Sequence, residues 1–241
     1  MPHRPHFRKT GLARSLSKLG YCSRSQAFDL IRSGRVTLNA RVRRDPETPV
    51  DLDRDAIAVD HKPVAAARRV YLMLNKPRGV VTTASDERGR DTVYGLLPPG
   101  TPWVAPVGRL DKASEGLLLL TNDSEWGARI VAPESHLPKT YHVQIAAIAD
   151  DSLLASLCRG VLDSGERLHA SSLHVIRGGE KNTWIEVVLE EGKNRHIRRM
   201  MDALGVEVLR LVRVSIGPLQ LDDLPKGSVR HLTLAEKLSL E

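Results

Sequence analysis

A chain of 241 residues is long enough to bury a substantial core and to divide into one large and one small domain. Hydrophobic residues at 41% and charged residues at 27% exclude wholesale disorder and fibrous designs, and the longest strongly apolar run, 116–120, is far too short for a bilayer span. The net charge of +7 is unevenly placed: residues 1–44 hold eleven Lys/Arg against the single acid Asp29, so that segment carries +10 and the remainder −3. The first ten residues are basic and Pro-containing without helical periodicity, and no fold is assigned to them. Leu12, Leu16 and Leu19 then recur at i, i+4 and i+7 and Gly20 ends the pattern, which predicts a short amphipathic helix. Ser23 and Gln26 form a capping box for a second helix with Ala27, Leu30 and Ile31 as its apolar stripe and Gly34 as its stop. Residues 35–38 read as a strand, Asn39 as a turn and 41–44 as the return strand.

Two helices and a hairpin leave Arg14, Lys18, Arg24, Arg32, Arg35, Arg41, Arg43 and Arg44 on polar positions, a pattern suited to phosphate contacts. The run LARSLSKLGYCSRSQAFDLIRSGRVTLNARVRRDPETPVDLDRDAIAVD resembles an S4 domain, which implies structured RNA as the partner. This places an S4-like αα-hairpin module at 11–60 and a linker, containing Pro63 and an alanine run, at 61–69.

Beyond the linker, strand-like runs occupy 70–74, 139–146, 168–176, 183–189 and 206–214, and helical patterns fit 124–131, 151–158 and 194–204. Strands dominate and do not alternate regularly with helices, so the fold class is α+β, with residues 70–241 built on a central mixed or antiparallel β-sheet. Cys22 and Cys158 lie far apart and outside any CxxC or Cys/His ligand pattern, which argues against a zinc site or a disulfide framework.

Two stretches are polar where a scaffold has no need to be. In Gly108-Arg109-Leu110-Asp111, glycines 108 and 116 permit tight turns that hold Asp111 at a sheet rim beside Arg109 and Lys112, and flanking cations favour the charged carboxylate. In 191–200, a helix starting near Asn194 sets Arg195, Arg198 and Arg199 at i, i+3 and i+4 opposite a stripe of Ile197, Met200, Met201 and Leu204. A basic helical face is more often merely solvated, but three arginines clustered after a glycine turn are also suited to clamp phosphate or orient a buried carboxylate.

GRLDKASEGLLLLTND, residues 108–123, is similar to the catalytic signature of the RsuA family of pseudouridine synthases. LNKPRGVV (74–81), KTYHV (139–143), EGKNRHIRRM (191–200) and LRLVRVSIGPL (209–219) resemble the family's other motifs in the same order, so with the S4-like module the resemblance covers nearly the whole chain. It implies that Asp111 is the catalytic aspartate, acting at C1′ or C2′ of the ribose to detach uracil, which rotates and reattaches through C5. It further implies that Tyr141 stacks on the uracil and takes part in removing the C5 proton, that Arg198 pairs with the aspartate, and that Arg109 holds the nucleotide outside its helix. Spacing alone does not choose Arg198 over Arg199. Lys76, Lys139, Arg195 and Arg199 are added as RNA-facing cations, with Lys76 structural or RNA-facing before catalytic. Ser114 stands where the family more usually has threonine, and His196 where glutamine or a similar residue is common.

Isomerisation requires no metal, redox partner or nucleotide cofactor. No basic-then-apolar signal segment is read at the N-terminus, so the expected location is the cytoplasm, with no membrane partner and a monomer as the default. The expected substrate is ribosomal RNA or an assembling subunit, large-subunit RNA before small-subunit RNA. The competing readings are a non-catalytic S4-domain RNA-binding protein and a carboxylate-dependent glycosidase or nuclease. The glycosidase is distinguished by release of free uracil.

Overall fold

The computed structural model describes residues 9–84 and 86–241, so the opening segment 1–8, to which no fold was assigned, lies outside it. The described chain forms two compact units, one running to Val70 and including Pro99–Ala105 and Thr121–Ser124, the other containing the rest.

In the first unit, α1 (Leu12–Lys18) and α2 (Arg24–Arg32) pack against the four-stranded antiparallel sheet β3-β2-β5-β6, made of β2 (Val36–Leu38), β3 (Arg41–Arg43), β5 (Ile57–Val59) and β6 (Lys62–Pro63). A separate two-stranded pair joins β1 (Thr10–Gly11) to β4 (Pro49–Val50). The apolar periodicity explains the core: Leu12, Leu16, Ala27, Ile31, Val36, Leu38, Ile57 and Val59 are all buried together. The capping box of α2 forms as expected, the Ser23 hydroxyl accepting from Gln26 N and the Gln26 side chain accepting from Ser23 N.

The linker expected at 61–69 is not a free tether. Lys62–Pro63 extend the small sheet, and Asn122 accepts from Val70 N and donates to Arg68 O while Arg69 pairs with Asp123. Partners more than fifty residues ahead hold Arg68, Arg69 and Val70, and local composition carries no trace of them.

The second unit is α+β, built on a nine-stranded mixed sheet ordered β13-β14-β10-β15-β9-β7-β17, with β8 (Ala105–Val107) on β9 and β16 (Leu219–Gln220) on β15. Its strands are β7 (Tyr71–Lys76), β9 (Glu115–Thr121), β10 (Lys139–Ile145), β13 (Ser172–Gly178), β14 (Thr183–Leu189), β15 (Val208–Ile216) and β17 (Val229–His231). The β15–β9 pair is parallel, whereas β10 runs antiparallel to both β14 and β15. Helices α3 (Ser124–Val131), α4 (Asp151–Arg159), α5 (His196–Asp202) and α6 (Leu234–Leu238) complete the unit. Strict alternation along β14 buries Thr183, Ile185, Val187 and Leu189, three of which meet Met200 and Met201 of α5 in one core.

The strand read at 168–176 is two elements. Ser164 and Gly165, both at positive φ, close a hairpin of β11 (Val161–Asp163) on β12 (Glu166–Leu168), and β13 begins only at Ser172. Leu168 and Ala170 are buried at the spacing of a strand, but Ser171 and Ser172 are both exposed, which breaks the period-2 rhythm of one continuous strand. The helix read at 194–204 is shorter, because Arg195 adopts the left-handed conformation at its N-cap (φ 48°).

Candidate active site

The loop between β8 and β9 is fixed almost carbonyl by carbonyl. Thr82 Oγ1 donates to Leu110 O (2.8 Å), Gly79 N to Lys112 O (2.8 Å), Ser114 N to Asp111 O (3.0 Å) and Arg198 Nη2 to Ala113 O (3.2 Å). Lys76 is fully buried, and its Nζ donates to Pro77 O (3.1 Å), Asp111 O (3.1 Å) and Ser114 O (2.8 Å). Burial lowers its pKa to about 8, against the opposing pull of Asp111 and Glu115. Of the two roles expected for Lys76, structural or RNA-facing, its contacts fit the first: the buried ammonium is spent on backbone carbonyls beneath the loop.

Glycines set the loop's two ends. Gly108 has φ 75°, and Gly116 has φ 101° where β9 meets β15; a Cβ there would lie 2.2 Å from Arg213 O. Glu115, beside it, is almost wholly buried. Burial pushes its carboxyl up, but hydrogen bonds from Arg210 and Lys226 win and hold it below the usual range.

The Asp111 side chain, about one-third exposed, opens into a cavity of about 940 Å³, within the range of small-molecule pockets. Arg109, Tyr141, Lys139, Arg195, Arg198 and Arg213 also line it, and Leu189, Leu211 and Ile216 supply apolar wall. Arg195 Nη1 lies 3.9 Å from Asp111 Oδ2. Arg198, expected as the carboxylate's partner, instead hydrogen-bonds Ala113 O and Val208 O (both 3.2 Å), with its Nε buried and unpartnered. Burial and the neighbouring Arg195 lower its pKa, and Asp111 opposes them. It thus braces the aspartate's loop while its charge acts on the aspartate from close by.

Arg199 departs from the expected cluster. It is paired with Asp163 and Glu166 of the β11–β12 hairpin and does not line the cavity. A helix places i+3 and i+4 about 100° apart, enough to send Arg198 and Arg199 to different neighbours. His196 is buried at the cavity wall with neither ring nitrogen hydrogen-bonded, and burial lowers its pKa.

Sequence reasoning missed Arg213. Its signal was available: in 209–219 it falls on the alternating buried side of β15 with Leu211, an arginine at an apolar position. Lys139, by contrast, lines the cavity half-buried, its pKa lowered by burial and then by the charge of Arg213.

In the first unit the anticipated cations are distributed differently. Arg14 and Lys18 lie one turn apart on α1, Arg24 and Arg32 share a stripe of α2 on either side of Phe28, and Arg41 sits exposed on the edge strand β3. The Arg32 guanidinium lies 5.8 Å from the Phe28 ring centre, Arg44 donates to Arg32 O (3.0 Å), and Arg35 is paired with Asp60.

An RNA-binding type of module joined to a mixed-sheet unit with a carboxylate in a cation-lined cavity defines the class: an enzyme acting on RNA. The comparisons agree with the geometry. Residues 70–203 match the model of the RNA pseudouridylate synthases and residues 10–57 that of the S4 domain. An RNA pseudouridine synthase of Aquifex aeolicus (strain VF5) is 36% identical over 226 residues, 93% of this chain and 91% of that protein. Ribosomal large subunit pseudouridine synthase B of Bacillus subtilis (strain 168) is 35% identical over 224 residues, 92% and 91%. A crystal structure of a pseudouridylate synthase superimposes with a TM-score of 0.67 at 30% identity, covering 96% of this chain and all of that one. The chain belongs to the RNA pseudouridine synthases, in the RsuA-type arrangement of an S4 domain before the synthase domain. Among the described residues no helix is long and apolar enough to cross a membrane.

Proposed function

We propose that the protein, acting as a monomer in the cytoplasm, converts one uridine of large-subunit ribosomal RNA, free or in an assembling subunit, to pseudouridine with Asp111 as the catalytic carboxylate. The observation that carries this is Asp111 itself: a partly exposed carboxylate on a loop whose carbonyls are held from beneath by Lys76 and Arg198. Its relative in Bacillus subtilis, named for the large ribosomal subunit, supports that RNA over the small-subunit alternative.

The target nucleotide leaves its stack, which costs a few kcal/mol, and stacking on Tyr141 with phosphate contacts to Arg109 and Arg195 offsets that cost. Asp111 then acts on the ribose, either by attacking C1′ or by taking the C2′ proton, and the C1′–N1 bond breaks so that uracil departs from C1′ with its electron pair. The base turns within the cavity, C5 bonds to C1′, and the C5 proton leaves with Tyr141 assisting. Arg195 and Arg198 keep the carboxylate in a positive field throughout.

The test maps pseudouridine, by chemical labelling and sequencing, on ribosomal RNA from cells lacking the enzyme after incubation with wild-type or Asp111→Asn protein. A new mark in large-subunit RNA made only by wild type is the expected result. A mark in small-subunit RNA moves the substrate, release of free uracil points to a glycosidase, and RNA binding without a mark leaves a non-catalytic binder.

A further inference from the structure

Several cations of the second unit pair with a carboxylate. Glu115 answers Arg210 and Lys226, and Asp163 and Glu166 answer Arg199. Arg213 and Lys139 are different. Arg213 is 6% exposed, its Nε donates to Leu117 O (2.7 Å), and its Nη2 is sealed from solvent with no acceptor. Among the described residues no carboxylate lies within ion-pair distance of either side chain, and the two cations repel each other. A buried charge left without a partner is strongly destabilising, and the part of each cation that lines the cavity is available to an electron-rich oxygen placed there.

Sheet register says where that oxygen lies. Tyr141 and Arg213 are opposite one another across β10 and β15, which sets their Cβ atoms about 4.5–5.5 Å apart on one face. Lys139, two residues before Tyr141 on β10 and opposite Ile216, shares that face and the same cavity wall. A base stacked on the Tyr141 ring turns its edge toward neighbours of this kind. Arg109 and Arg195, both exposed, suit the backbone phosphates instead.

We propose that Arg213, with Lys139 beside it, is a catalytic group that binds the carbonyl edge of the target uracil and stabilises the negative charge the base acquires on leaving the ribose. The proposal rests on the pseudouridine synthase reading above. When the C1′–N1 bond breaks, its electron pair departs with the base, giving an anion spread over N1, O2 and O4. C1′ is meanwhile bonded to the Asp111 carboxylate, or joined to C2′ by a double bond after Asp111 takes the C2′ proton. Formation of the C5–C1′ bond releases the carboxylate or returns that proton, N1 gains a proton and C5 loses one. Electrons balance within the nucleotide. Both cations face the charge only while the base is detached, the condition for lowering a barrier instead of merely binding substrate.

The experiment uses the full chain and a transcript of the ribosomal RNA segment carrying the mapped uridine, with RNA affinity and single-turnover rate measured separately. Arg213→Gln is expected to slow the single turnover by about 100-fold, and Lys139→Met by about tenfold, with RNA affinity changed less than about threefold. In a second transcript the target uridine is 5-fluorouridine, whose more acidic base leaves more readily, and loss of the N-glycoside is followed by digestion and mass spectrometry. There the deficits should shrink to about a tenth of their size. Equal deficits on both transcripts make the pair merely structural and overturn the proposal, as does weakened RNA affinity with an unchanged single-turnover rate, the mark of a phosphate seat. If Arg213→Gln does not fold, Lys139→Met on the same two transcripts decides, and a wild-type rate overturns it. Failure of the parent reading is seen independently, as absence of any mark made by wild-type protein.

Discussion

The two units hold positive charge in opposite ways. In the first, Arg14, Arg24, Arg32 and Arg41 stand exposed on a helix pair and an edge strand, where charge acts through a screened field over about 8–10 Å. In the second, whose sequence carries no net charge, Lys76, Arg198 and Arg213 are buried or half-buried and tied to backbone carbonyls. A field of exposed cations tolerates loss of any member in proportion to its charge. A buried cation that also holds a loop does not, so the same substitution has different consequences in the two places.

The largest effect should come from the cavity. Asp111→Asn keeps the shape of the side chain and removes its charge, and single-turnover pseudouridine formation should fall by at least about a thousandfold, roughly 4 kcal/mol in barrier. RNA affinity, carried by cations elsewhere, should change less than about threefold in a filter-binding assay. Equal losses of rate and affinity would erase the contrast between the units.

Next in size is Gly116→Ala. The φ of 101° and a Cβ 2.2 Å from Arg213 O leave no room for the methyl group without separating β9 from β15. Urea denaturation should show about 3 kcal/mol of destabilisation or more. Gly89, also at positive φ but with nothing near its would-be Cβ, is the control, and Gly89→Ala should cost no more than about 1–2 kcal/mol.

For the first unit the signature is salt. Arg14→Ala with Arg24→Ala and Arg41→Ala should weaken RNA binding and reduce the slope of log affinity against log salt by about two, while the single-turnover rate of bound RNA stays within about twofold. Arg35→Ala should do less, because Arg35 already spends its guanidinium on Asp60. An unchanged slope in the triple variant would show that the exposed cations do not meet phosphate.

How far sequence reached follows the same division. The S4 core was legible because Leu12, Leu16, Ala27 and Ile31 keep helical spacing, and the second unit's sheet because Thr183 to Leu189 alternate. Asp111 was legible through its motif. Less visible was everything decided by distant partners: Lys76, read as structural or RNA-facing, is buried beneath carbonyls from residues 111 and 114, and Arg199 is neutralised by a hairpin more than thirty residues earlier. Arg213 was missed although it shares the alternation of Leu211, because alternation alone does not tell which face of β15 lines the cavity.

Lys76 supplies the smallest effect and the sharpest sign. Burial lowers its pKa to about 8 from an ordinary value near 10.5, so between those values the unfolded chain binds more protons than the folded one. Lys76 therefore makes the protein more stable as pH rises from about 8 to about 10.5; below about 8 the cost of burying the charge is fully present, and above about 10.5 it is gone. The gain should be on the order of 1–3 kcal/mol. Urea denaturation of wild type and Lys76→Met across pH 7.5–10.5 isolates it, because the remaining titrations are shared. The difference in stability between the two proteins should shift in favour of wild type as pH rises. If it stays flat, the ammonium's three carbonyl partners offset its burial completely, and Lys76 is as content inside the molecule as the exposed arginines are outside it.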